Sequence, residues 1–355
     1  MSESKKITPK DFLNKVLAGT ALAIIVGLIP NAVLAAVLKL FDQTHFVVLL
    51  TQTVVMFQLT TPLLIGALIA LQFGFNPMKM AVVAGAAYVG SGVTVFNPQM
   101  QNMATQAMGA YVSAGTGDII NTMITASVAV ILILLIGEKF GSVNIILSPI
   151  LIGSGAGLIG LITLPYVKSF TALIGNGINS FTNLQPVVMS ILIACSFAVL
   201  IISPISTVAI GMAIQLNGLS AGAAAMGVAA TTIVLVVHSW KVNKSGVTAA
   251  IGLGAMKMMM PNLFRYPIIL IPILFTSALS AIPVALFNVM GTASSAGFGL
   301  VGLVGPLASI DAGLNIFVAI CVWFVIPTAL AIISLVIFEQ VLKLYKKEEA
   351  FAYLG

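Results

Sequence analysis

The residues of this chain best suited to chemistry are amides and a few isolated charges, and their chemistry is binding. Asn97, Pro98, Gln99, Gln101 and Asn102 form a polar knot between apolar, glycine-rich stretches. Amides donate and accept without bringing a charge to desolvate, which suits hydroxyl-bearing ligands; the same composition also makes an ordinary loop at a membrane surface. Asp118 follows Gly117 and opens a long apolar run, with Asn121 one turn further on the same helical face. An acid in that place is an N-cap, a carboxylate facing a polar cavity, or both. Ser309-Ile310-Asp311-Ala312 repeats the pattern, with Asn315 four residues on, and Asp311 reads chiefly as a cap.

Residues 238–267 gather His238, Lys241, Lys244, Lys257 and Arg265 with no acid among them, while residues 169–237 carry no Asp, Glu, Lys, Arg or His. Such a boundary separates lipid from something polar. Between the bases lie Asn243, Ser245, Gly246, Gly252, Gly254 and Asn262. Small residues there let a backbone approach a ligand closely. Lys257 and Arg265 read as anchors that snorkel to the interface, and His238 reads first as an interfacial residue. The candidate solute contacts are Asn97, Gln99, Asp118 and Asn121 on one side, and His238, Asn243, Ser245 and Asn262 on the other.

No catalytic residue, metal site or cofactor is expected. The chain has no phosphate-loop glycine-lysine motif and no nucleophile elbow, and its two histidines are far apart. Met256, Met258, Met259 and Met260 read as adaptable packing, because a thioether site for Cu(I) would need a second such cluster. Cys195 and Cys321 sit in apolar runs and behave as small hydrophobes. The formal charge of +6 sits at helix ends and gives no reason to expect nucleic acid as a partner.

The elements that must position these residues are membrane spans. The chain is 60% hydrophobic and 7% charged, against roughly 25% charged in a soluble domain. A spanning helix needs about 20 apolar residues, since lipid offers the backbone no hydrogen-bond partner. The expected spans are residues 16–38, 46–71, 119–136, 143–166, 185–203, 205–237, 268–290 and 314–338. The glycine-rich stretches 80–117, 245–260 and 291–309 read as short spans or re-entrant hairpins, and Ser203-Pro204-Ile205-Ser206-Thr207 as a turn between spans or a break within one. The expected fold class is an all-α polytopic membrane protein of about eight to ten helices plus hairpins. It forms one domain over residues 1–355, with tails at 1–15 and 342–355. Residues 1–15 are charged like the start of a signal peptide, but the full-length run behind them favours an uncleaved first helix.

Putting the N-terminus in the cytoplasm and alternating sides leaves only Lys39 and Lys139 outside among the bases. Both termini are then cytoplasmic, in a bacterial cytoplasmic membrane.

The glycine-rich hairpins, Gly115-Thr116-Gly117-Asp118-Ile119-Ile120-Asn121, the Ser203–Thr207 motif and Met260-Pro261-Asn262 together resemble the membrane (IIC) component of the bacterial sugar phosphotransferase system. The likeness is greatest to a divergent IIC-type family, some of whose members are described as toxin-gene regulators. The resemblance implies a homodimer with re-entrant hairpins around a sugar site, and a cytoplasmic IIB protein that phosphorylates the sugar. The chain would itself be at most the membrane subunit of that reaction. Two departures stand out: the sequence carries no IIA or IIB domain after Lys347, and it lacks the Gly-Ile-Thr-Glu motif of glucose-type members. Glu3, Glu138, Glu339, Glu348 and Glu349 all lie near span ends, which leaves Asp118 as the well-placed intramembrane acid.

The leading expectation is thus a transporter of a small polar solute, a carbohydrate, working by alternating access. One alternative is a non-transporting sensor that signals to a cytoplasmic regulator; another is a proton-coupled exporter with Asp118 as the proton carrier.

Overall fold

A computed structural model describes residues 7–35, 38, 41–42, 44–103, 105–136, 139, 141–293 and 295–354. Glu3, Lys5, Lys6, Lys39 and Glu138 lie outside the described residues. The structure is 75% helical. Among the described residues, helices long and apolar enough to cross a membrane are Pro9–Leu28, Ile119–Ile136, Asn144–Asn183, Gly218–Ser239, Pro267–Leu286 and Ile316–Val341. His45–Leu59 and Thr61–Gln72 form a pair bent by 46° that brings the number from 6 to as many as 7. The all-α polytopic expectation therefore holds, with fewer full-length spans than the apolar runs promised.

The shortfall falls at residues 185–203, whose helix Pro186–Ile202 is only 17 residues long, and the span expected at 205–237 starts late for the same local reason. Pro204 removes a backbone donor, the helix Pro186–Ile202 stops before it, and only the short helix Thr207–Ala213 follows. The span proper begins at Gly218, where the Asn217 side chain accepts from the Gly218 N–H at 2.8 Å.

A second correction concerns residues 80–117. The stretch begins within the helix Pro77–Gly90 and then forms an antiparallel ribbon of β1 (Thr94–Gln101) and β2 (Met108–Ser113), not a second span. Phe96 faces Tyr111 and Val95 faces Val112 across the ribbon, pairs of the aromatic and β-branched kind that favour strands. The register breaks between Asn97 and Gln101, around Pro98, which cannot donate to the ladder. A third concerns Asp311, which ends the helix Val304–Asp311, while Asn315 caps the next helix by accepting from Phe317 N–H at 2.9 Å.

The chain divides into two compact units, one of Met1–Leu28 with Gln52–Lys168 and one of Ile29–Thr51 with Ser169–Leu354. Small residues organise each, because helices in lipid associate by close packing and not by a hydrophobic drive. In the first, Ala23, Ile65, Ile69, Val83, Ala87, Ala126 and Val130 share one core. A Cβ on Gly66 would lie 2.6 Å from the Val83 carbonyl oxygen, so the Thr61–Gln72 and Pro77–Gly90 backbones almost touch. In the second, the helix Gly218–Ser239 is central and almost wholly buried. It packs against Pro186–Ile202, Leu270–Leu286 and Ile326–Leu335.

Candidate functional site

In the first unit, Asp118 and Asn121 come together at the start of Ile119–Ile136. The Asp118 carboxylate accepts from Asn121 N–H at 2.9 Å, so it is an N-cap, and Asp118 itself is half-buried. Its own N–H donates to Ser91 O at 2.8 Å. Gly117 makes that approach possible: it has φ +65°, and a Cβ there would lie 2.8 Å from Ser91. Asn121 is fully buried. Its amide nitrogen donates to Gly90 O and Gly160 O, and its oxygen accepts from Thr163 Oγ1 at 2.8 Å. One side chain thus ties together three helices.

Asn97 and Gln99 sit exposed on β1, where the Asn97 oxygen accepts from Gln99 N–H at 3.0 Å across Pro98. Asn97 also borders an open, mainly apolar depression of about 360 Å³, lined by Gly92, Val95, Phe96, Pro98 and Val112.

In the second unit, His238, Asn243 and Asn262 converge, and what they surround is the chain's own residues 345–353. Asn243 donates to Phe351 O at 2.9 Å and accepts from Tyr353 N–H at 2.8 Å. Asn262 donates to Ala350 O at 2.9 Å and Ala352 O at 2.7 Å. His238 is fully buried at the end of its helix, with Nδ1 3.0 Å from Val234 O and its ring 4.8 Å from that of Phe351. Ser245 is exposed at the first turn of Ser245–Leu253.

Lys257 departs from the snorkelling expectation. It is only 7% exposed, in the short helix Met256–Met259 that joins the Gly218–Ser239 and Pro267–Leu286 spans. Its ammonium donates to the carbonyls of Ser203 and Ile205, which flank Pro204. A proline break leaves helix-end carbonyls free, and a cation there also meets the favourable end of the helix dipole. Burial pushes the Lys257 amine down to about 7. A sequence signal existed in Pro204 and a lone lysine among buried methionines, but nothing in it linked the two. Arg265 is exposed, as an interfacial anchor would be.

Among the described residues, no group of three or more His, Cys, Asp or Glu side chains could hold a metal ion. What the site residues offer is hydrogen bonding by amides, hydroxyls and main chain within a helical membrane scaffold. A family model for the phosphotransferase system EIIC component matches residues 14–351.

The chain belongs to the phosphotransferase-system EIIC family. The match takes in both compact units, so the Asp118–Asn121 cap and the His238–Asn262 cluster both lie within the matched region. No curated protein and no solved structure matches the chain. The protein is thus a multi-pass membrane protein of the phosphotransferase transporter type.

Proposed function

We propose that this EIIC protein carries a carbohydrate across the membrane by alternating access, and that a separate cytoplasmic IIB protein transfers its phosphoryl group to a hydroxyl of the sugar. The observation that carries the reading is the EIIC match over residues 14–351. The chemistry agrees with it. Asn97 and Gln99 present exposed amides, and Asp118 is a half-buried carboxylate. Amides serve neutral, hydroxyl-rich solutes without a large desolvation cost, and a carboxylate accepts from their hydroxyls. Lys241, Lys244 and Arg265 are exposed, and a cytoplasmic placement makes them an electrostatic target for a phosphorylated partner. The protein works as a homodimer with both termini in the cytoplasm.

The test is a thermal-shift screen of sugars on the purified protein, followed by uptake of the best binder into vesicles with and without a phospho-IIB protein. A ligand that binds only the folded state raises the melting temperature. The expected result is a sugar that shifts the transition and enters vesicles. Binding without uptake overturns transport in favour of a sensor. Uptake driven by a proton gradient alone overturns phosphoryl coupling.

A further inference from the structure

Two side chains, Asn243 and Asn262, grip one short segment about 90 to 110 residues further along the chain by its backbone. Asn262 donates to the carbonyls of Ala350 and Ala352, while Asn243 donates to the Phe351 carbonyl and accepts the Tyr353 N–H. Phe351 is fully buried, its ring 4.8 Å from the His238 imidazole and 5.5 Å from Tyr345. The segment is a single helical turn, Lys347–Ala350, whose free C-terminal carbonyls the two amides take up, with Phe351 as the aromatic anchor.

Two features work against tight docking. The lead-in, residues 343–346, has no regular secondary structure, and Lys343 holds φ +50°, a left-handed conformation that a side-chain-bearing residue adopts at a cost. The seat is also incompletely satisfied. His238 Nε2, Asn262 Oδ1 and the hydroxyls of Tyr345 and Tyr353 are buried without a partner among the described residues. Desolvating a polar atom without giving it a partner offsets much of what the main-chain bonds contribute.

We propose that His238, Asn243 and Asn262 form a peptide-binding cleft whose occupant is residues 345–354 of the same chain, held as a releasable latch. Release exposes two amides and an imidazole that the docked segment covers. The inference stands whether or not the solute is a carbohydrate.

Hydrogen exchange on the full chain in phosphatidylethanolamine–phosphatidylglycerol nanodiscs tests it. Residues 346–354 are expected to exchange at least ~10-fold slower than a free peptide of that sequence, yet faster than the Gly218–Ser239 helix. Asn243→Ala with Asn262→Ala is expected to remove the protection of 346–354 and leave that of the helix unchanged. Phe351→Ala, which spares both amides, is expected to do the same and serves if the double variant does not fold. Free-peptide exchange in the native chain overturns the latch. So does loss of protection only together with the helix, which would make the segment part of the core.

The occupant's origin is read separately, in a chain carrying Cys195→Ala, Cys321→Ala, Asn262→Cys and Ala352→Cys. Oxidation is expected to give a cross-linked species at the mass of one chain. Cross-links found only at twice that mass overturn the same-chain assignment.

Discussion

The Lys257 ammonium donates to the Ile205 carbonyl at 2.9 Å, joining a buried base to a proline break 52 residues earlier. With the Ser203 carbonyl as its second acceptor, it ties the connection between two spans to the end of Pro186–Ile202. The break in the apolar run and the buried lysine thus form one structural feature.

Lys257→Met leaves both carbonyls without their donor. Each orphaned buried group costs about 1–3 kcal/mol, so a lower melting temperature is expected in detergent. The folded amine lies at about 7 against an ordinary 10.5. Between those values the unfolded chain binds more protons, so the unfolding free energy rises with pH. Wild-type stability should therefore climb relative to Lys257→Met as pH is raised through that window. A constant difference across the window would contradict the burial account.

Asn121→Leu removes the donor to Gly90 O and Gly160 O while roughly keeping volume. A loss of about 1–3 kcal/mol is expected, chiefly from the Gly90 carbonyl, because Thr163 Oγ1 still donates to Gly160 O at 3.0 Å, read by denaturant unfolding. Faster exchange should follow in the helix segments around Gly90 and Gly160. Gly160→Ala should resemble it, because the new Cβ would lie 2.3 Å from Thr125 Oγ1.

Asp118 caps its helix and has a proposed ligand role, and two variants part them. Asp118→Ser keeps an oxygen able to cap, so near-native stability is expected, whereas Asp118→Ala should cost about 1 kcal/mol. If the carboxylate also binds solute, both variants lose binding in a thermal-shift assay. Retained binding in Asp118→Ser would confine Asp118 to the cap.

Gly227→Ala should prevent or severely weaken folding of the second unit, since its Cβ would lie 2.0 Å from the Ala194 carbonyl oxygen. Gly246→Ala is the control. It lies in the helix Ser245–Leu253 with nothing within 4 Å of a new Cβ, and a stability change within about 1 kcal/mol is expected, toward greater stability. Monodispersity on size exclusion and the melting temperature report both.

Residues 119–136 were legible as a helix to the residue, because a charge-free apolar run behind an Asp cap admits little else in lipid. The cap at Asp118 was legible for the same local reason. Residues 94–113 were not. Their glycines and apolar side chains fit a re-entrant hairpin as well as a ribbon, and only the pairing of Phe96 with Tyr111 and of Val95 with Val112 distinguishes the two. Asn243 and Asn262 were legible as polar residues near a span end, but an amide bonds equally well to a sugar hydroxyl or a peptide carbonyl.

What the sequence determined by itself was the solvent and the scaffold. Long runs without charge must satisfy their backbone internally, and that requirement gives membrane helices whatever their neighbours are. Which polar side chain meets which backbone group was decided by the tertiary structure: Lys257 at the Pro204 break, Asn121 between Gly90 and Gly160, Asn262 on residues 350–352. The partners in these bonds lie 31 to 90 residues apart. A backbone carbonyl is the same in every residue, so only folding selects the one that each donor reaches.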